Sequence, residues 1–341
     1  MFHGGTSFGF MNGANVEGGS TDNDGMLHDT TSYDYDAPLA ENGDYTEKYY
    51  AAKEIIEKYN DVRTQLPNLP ELTSRLAYHP IKITGEIRLS NVLLKEKFIE
   101  SENVVAMEDL PINNGAGQSY GYTVYKKQNL DIPSNSILKI EGRVCDTIMV
   151  LIDGELKSEI LENQSDLNDF GYWRWRDSTL DLGEEEFRNA SVELVVENWG
   201  RNNFGYLNQF NQKKGLWQGD VLLNDVALKN WNIYPLEFKK SWNLALSDWQ
   251  QPTFETGPAL YRAVLNVKEV RDTYIDMTGW KKGIVIVNGF VLSRHCRLGP
   301  QQAVYLPAPF LQEGENEIII FEHFVASNQV AFVEDMIYET L

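Results

Sequence analysis

From about residue 81 onward, short apolar segments alternate with clusters of turn residues. Ile137 to Ile140, Ile148 to Ile152, Val192 to Val196, Val221 to Leu223, Ile284 to Val287 and Ile318 to Phe321 repeat this pattern, which predicts the strands of β-sandwiches. An internal echo divides the region. IMVLIDGELKSEI, from Ile148, and IVIVNGFVLSRH, from Ile284, each place a β-rich segment before Asp-Gly or Asn-Gly and a second strand after it, a strong hairpin signal. Each is followed by a matching strand, VELVVEN from Val192 and EIIIFEH from Glu317. Two antiparallel jelly-roll sandwiches are therefore expected, at residues 81–235 and 236–341, the first closed by WNIYPLEF.

Residues 1–65 differ in character. A stub, Met1 to Gly5, enters a loop rich in Gly, Asn, Asp and Ser that runs to about Gly43, and a helix follows. Asp44 is expected to cap that helix with Glu47 as its capping-box partner, and Tyr49, Ala52, Ile55, Ile56 and Tyr59 line one face, which must be buried against something. Stub, long loop and amphipathic helix together form one βα unit; a barrel of such units typically needs eight of them and ~250 residues. Prolines at 67, 70 and 80 predict an extended linker over residues 66–80.

With 42% hydrophobic and 23% charged residues, the 341-residue chain is a folded one of two or three domains. Its formal charge of -20 disfavours nucleic acid and anionic membrane surfaces as partners, and a neutral partner is accepted more easily. No apolar run approaches the ~20 residues of a membrane helix, and MFHGGTSFGF lacks the basic region and apolar core of a signal peptide. Cys145 and Cys296 fall in separate expected domains and suggest neither a disulfide framework nor a metal site. Asn163 in NQS and Asn189 in NAS are glycosylation acceptor triplets, which point to a secretory or lysosomal route.

Several motifs carry less than they promise. Gly5 to Gly9, GTSFG, has the form of a nucleophile elbow, but four residues precede it and MNGAN follows, so the strand and helix that hold such a serine are missing. Asp22, Asp24 and Asp29 resemble half of a calcium loop, with Gly25 misplaced and no distal Glu. Histidines 3, 28, 79, 295 and 323 have no metal-ligand spacing, and no cofactor is expected. Trp173, Trp175, Trp199, Trp217 and Trp280 are read as core of the sandwiches in preference to carbohydrate platforms.

The opening MFHGGTSFGFMNGAN, the stretch TSYDYDAPL from Thr31 to Leu39, and GDYTEKY resemble the β-galactosidases of glycoside hydrolase family 35 almost continuously over residues 1–50, with Ser7 where that family usually has Asn. TGEIRLSNVL from Thr84, QSYGYTVY from Gln118, ENWGRNNFG from Glu197 and DMTGWKKGIVIVNGFVLSRH from Asp276 extend the likeness over essentially the whole chain. GFVLSRHC, Gly289 to Cys296, departs from the family's GFNLGRYW and puts a sugar-binding role of that turn in doubt.

The resemblance implies a mainly β fold, two jelly-roll sandwiches of the galactose-binding-domain kind preceded by the last βα unit of a truncated TIM barrel. It also implies exo-acting removal of terminal β-galactose from glycans with retention of configuration, in a lysosomal or secreted protein, with a homo-oligomer possible. Tyr35 is the expected sugar contact and Tyr33 its neighbour in the pocket wall, because a ring face packs on the C–H face of galactose while the phenol bonds a hydroxyl. Asp34 and Asp36 are expected to fix the loop through backbone hydrogen bonds. Retaining glycosidases need an acid and a nucleophilic carboxylate ~5 Å apart. By resemblance both glutamates precede the residue matching Met1, and neither Glu41 nor Glu47 replaces them, so the chain alone is expected to be inactive. The alternative is a non-catalytic carbohydrate-binding or scaffolding protein built on the two sandwiches.

Overall fold

The computed structural model describes residues 4–16, 25–34, 36–62, 68–210 and 212–339. Among the described residues two sandwiches account for four of the five sheets. In the first sandwich a six-stranded sheet has the order Ile99–Ser101, Trp231–Leu236, Tyr122–Ile132, Phe187–Glu197, Thr147–Ile152, Glu155–Leu156. It packs on a four-stranded sheet ordered Thr179–Asp181, Ile137–Ile140, Val221–Leu223, Val226–Ala227. The second sandwich pairs a five-stranded sheet, Phe290–Cys296, Lys282–Val287, Gly314–Glu322, Ala259–Val267, Gly85–Arg88, with a four-stranded one, Ala303–Leu306, Thr273–Asp276, Gln329–Val333, Ile81–Lys82.

The two larger sheets also pack against each other. Tyr122, Val124, Met149 and Val195 meet Leu260, Ile284, Ile286 and Phe321 in one buried cluster. Their alternating neighbours face the separate cores of the two sandwiches, Val150, Leu194 and Val196 on one side and Tyr261, Val285 and Ile320 on the other. A strand buried on both faces has no solvent side to mark with polar residues, so IMVLI, LVV, IVIV and IIIF read as continuous apolar runs.

The echo is structural. Asp153 and Gly154 both have positive φ, as do Asn288 and Gly289, the condition a two-residue type I′ hairpin turn requires. In each copy the first hairpin strand pairs with the long strand Phe187–Glu197 or Gly314–Glu322, which pairs next with Tyr122–Ile132 or Ala259–Val267. The position beyond is filled differently. Trp231–Leu236 occupies it in the first copy, whereas in the second it is Gly85–Arg88.

That pairing corrects the expected domain boundary. Residues 81–88 lie on the edges of the second sandwich, Ile81 and Lys82 pairing with Val330 and Gln329, so the second sandwich is assembled from both sides of the first. The expected linker is its lead-in: Leu76 N–H donates to Asp272 O at 2.9 Å, and Tyr78 is buried with its hydroxyl on Glu269 O at 2.9 Å. Alternation of Ile81, Ile83 and Ile87 toward buried positions supplies the driving force.

The helix spans Glu47–Tyr59, and its N-cap is Thr46, not Asp44. Asp44 is engaged elsewhere, accepting from Arg75 Nη1 at 2.6 Å, while the Thr46 hydroxyl donates to Pro38 O at 2.8 Å. None of the helix residues is buried, and Ile55, Ile56 and Tyr59 stand in solvent, contrary to the expectation of a covered face. Among the described residues no helix is long and apolar enough to cross a membrane.

Candidate functional site

The N-terminal segment is laced between the sandwiches. Gly13–Val16 pairs in parallel with Arg201–Phe204 and antiparallel with Met26–His28. Residues 4–9 and 31–34 run side by side, with Ser7 N–H on Thr31 O at 2.9 Å and Tyr33 N–H on Gly5 O at 2.7 Å. The approach is close enough to demand glycine: a Cβ on Gly4 would lie 2.8 Å from Asp34 O. Asp34 O accepts from Ala37 N–H, and Asp36 is ion-paired with Lys48, so both carboxylate-bearing residues tie the loop down.

This lacing opens a cleft of about 510 Å³ bounded by Ser7, Phe10, Asn12, Tyr33, Ser119, Tyr120, Asn198, Arg201 and Asn203. Four separate motifs of the sequence, MNGAN, TSYDYDAPL, QSYGYTVY and ENWGRNNFG, meet there. Of the expected sugar contacts, Tyr33 lines the cleft, and Tyr35 lies outside the described residues. The guanidinium of Arg201 is consumed locally, donating to Ser119 O at 2.8 Å and pairing with Glu108 at 2.6 Å. A lining of tyrosines, amides and hydroxyls whose one cation is already neutralised matches a neutral ligand rich in hydroxyl groups.

Beneath the cleft sits a buried charge network. Arg294, from the second sandwich, donates from Nε to Asn12 Oδ1 at 2.7 Å, from Nη1 to Glu197 at 2.6 Å and from Nη2 to Asn198 O at 2.6 Å. Its backbone N–H reaches Thr31 Oγ1 at 3.0 Å, and its guanidinium lies 4.7 Å from the centre of the Phe10 ring. Lys282 pairs with the same Glu197 and sits 3.8 Å over the Trp199 ring. Burial works against the charge on Glu197, yet Lys282 and Arg294 outweigh it and hold this carboxyl well below the usual range.

A second buried pair adjoins the first. Lys214 Nζ contacts both Asp146 oxygens at 2.7 Å and Gly200 O at 2.7 Å, and Trp199 N–H donates to Asp146 at 2.9 Å. Burial again opposes ionisation, but Lys214 and His28 keep the Asp146 carboxyl far below its ordinary value. Burial pushes His28 below its ordinary value, although it stands 3.5 Å from Asp146, which works the other way, and it stacks on Trp199. The amides around Asn12 complete the network: its Nδ2 donates to Asp29 O at 2.6 Å and Trp199 O at 2.7 Å.

Asp29 is the one carboxylate in the cleft lining among the described residues. Glu41 faces away, in a small cavity of about 30 Å³ against the second sandwich, accepting from Thr6 at 2.7 Å; burial pushes its carboxyl up to about 7. Glu47 is exposed at the start of the helix. Ser7 of GTSFG lies on the cleft wall, and of the calcium-like aspartates Asp22 and Asp24 lie outside the described residues.

Among the tryptophans, Trp173, Trp199 and Trp280 are buried as read, but Trp175 and Trp217 are 54% and 38% exposed. Both cysteines are buried, and neither is in a disulfide among the described residues. Asn163 and Asn189 are exposed on the first sandwich. Arg294 and Tyr120 were not foreseen as site residues, although both lie within the quoted stretches LSRH and QSYGYTVY. The departure at GFVLSRHC thus falls on a buried strand that serves the cleft from below.

Comparison with known proteins agrees with this layout. Residues 1–59 match the profile of glycosyl hydrolases family 35, residues 113–237 that of the β-galactosidase first all-beta domain, and residues 258–316 that of the β-galactosidase galactose-binding domain. The chain is 36% identical to human beta-galactosidase-1-like protein 2, over 98% of its own length and 49% of that protein. It is 33% identical to beta-galactosidase 1 of Dictyostelium discoideum, over 94% of the chain and 48% of that protein. Canine beta-galactosidase shares 31% identity over 94% of the chain and 47% of its own length. The chain spans about half the length of these relatives, and on these matches it belongs to glycoside hydrolase family 35, whose C-terminal portion it represents.

Proposed function

We propose that this chain forms one wall of the galactose pocket of an exo-acting, retaining β-galactosidase, together with the two sandwiches that brace it, and that it hydrolyses nothing by itself. Tyr33 packs against the sugar, Tyr35 makes the principal contact, and the buried Arg294 network holds their loop against the sandwiches. The observation that carries this reading is the convergence of Tyr33, Tyr120 and the Asn198–Asn203 segment on one cleft lined mainly by tyrosines, amides and hydroxyls. Retaining hydrolysis needs two carboxyl groups ~5 Å apart across the scissile bond, and the described lining offers Asp29 alone. Purified chain incubated with an aryl β-galactoside should release no more product than a mock preparation; turnover above it overturns the claim of inactivity.

The partners are galactosyl-terminated glycans, and the compartment is the lysosome or the cell exterior. The exposed acceptors Asn163 and Asn189 support that route. A mass decrease of the secreted protein on N-glycosidase treatment, lost in the Asn163→Gln, Asn189→Gln double variant, tests it. A second reading is favoured by the exposed Trp175 and Trp217: a non-catalytic carbohydrate binder using the first sandwich. Galactose binding that survives Tyr35→Ala and disappears with Trp175→Ala selects that alternative.

A further inference from the structure

A second hollow, of about 280 Å³, adjoins the Tyr33 cleft and shares Phe10, Met11 and Tyr120 with it. Phe10 and Tyr120 stack with their centroids 5.5 Å apart and form the divide between the two. The two hollows differ in chemistry. The second has a floor of buried Phe238 and Val291 and a wall of Phe290, with Met11 exposed at its mouth. No serine, threonine, asparagine or glutamine lines it among the described residues. Of its charged groups, Glu237 pairs with Lys239 at 2.7 Å and accepts from Asn113 at 2.8 Å, and Lys240 stands exposed to solvent. The hairpin turn shapes the wall, since a Cβ on Gly289 would stand 2.6 Å from Leu244 Cγ.

Sugar hydroxyls would find few partners in such a hollow and would lose their hydration there. Apolar carbon gains instead. We infer that this hollow receives the aglycone of a β-galactoside whose sugar occupies the neighbouring cleft, and that the preferred aglycone is an alkyl or aryl group. The inference rests on the galactoside reading of the Tyr33 cleft and adds the class of leaving group. Continuity across the Phe10–Tyr120 divide is its structural basis: a ligand seated against Tyr33 need cross only that divide to enter.

Ligand-observed NMR titration of the purified chain with methyl and hexyl β-galactoside, below the micelle concentration of the latter, separates the possibilities. A fully buried methylene tightens binding by roughly four-fold. Seating two of the added methylenes gives roughly ten-fold or more for the hexyl compound. The gain should disappear in Phe290→Gln, and in Met11→Asp at the exposed mouth should the first variant fold poorly. Equal affinity for both compounds overturns the aglycone assignment and leaves the galactose cleft standing. Binding of neither overturns both. A hexyl gain that persists in a folded Phe290→Gln or Met11→Asp protein, or that hexyl β-glucoside shows equally, also overturns the assignment.

Discussion

Replacing Arg294 by Met keeps the aliphatic bulk and removes a group of the second sandwich that bonds both the N-terminal segment and the first sandwich. Three side-chain hydrogen bonds, to Asn12, Glu197 and Asn198, vanish together. Breaking a buried ion pair from one side costs about 3–5 kcal/mol, and each buried acceptor left unpaired adds about 1–3 kcal/mol. Lys282 still neutralises Glu197, which limits the first of these, so a loss of about 4 kcal/mol is expected. Arg294→Lys keeps the charge but cannot present three donors in a fork, and about half that loss is expected. Hydrogen exchange resolves where the loss falls. Amides of residues 26–34 should exchange about a thousand-fold faster in Arg294→Met, while those of Ile148 to Ile152, in the first-sandwich core, change little. A variant whose N-terminal segment stays protected to within ten-fold would refute the claim that Arg294 fastens it.

Glu41→Gln should have a pH-dependent effect. Because burial raises the folded carboxyl to about 7, the unfolded chain ionises first as pH climbs from the ordinary carboxylate range. The wild type therefore loses stability between about pH 4.5 and 7 relative to the variant. Urea unfolding should find the two equal near pH 4 and Gln more stable by on the order of 2–3 kcal/mol above pH 7. Phe321→Ala, which empties a site between the two large sheets against Tyr122 and Phe238, should cost about 3–5 kcal/mol of unfolding free energy. Ile55→Lys with Ile56→Lys on the exposed helix face should leave the melting temperature unchanged and reduce light scattering of concentrated solutions.

Much of this fold was legible because local chemistry and tertiary role coincide. Asp153-Gly154 and Asn288-Gly289 announced their hairpins, since a type I′ turn needs those residues wherever it lies. The pairing of Gly85–Arg88 with Ala259–Val267 carried no such mark; a short edge strand looks the same whichever sheet receives it. The helix face misled for a related reason: Ile55 and Ile56 record a periodicity without saying whether a partner is present. In the cleft, Tyr33 was visible through its motif. Arg294 was not, because its role depends on Asn12 and Asn198, 282 and 96 positions away in the chain, and no local pattern reports such a meeting. The same holds for Lys214 and Asp146, whose pairing is invisible until the sandwich is closed.

The central claim, that the Tyr33 cleft seats galactose, is tested most directly by saturation-transfer NMR of the purified chain with methyl β-galactoside, comparing wild type with Tyr33→Phe and Tyr33→Ala. The account predicts a saturable signal that methyl β-glucoside does not reproduce, weakened in Tyr33→Phe and abolished in Tyr33→Ala. A signal of equal strength in a folded Tyr33→Ala protein would contradict it.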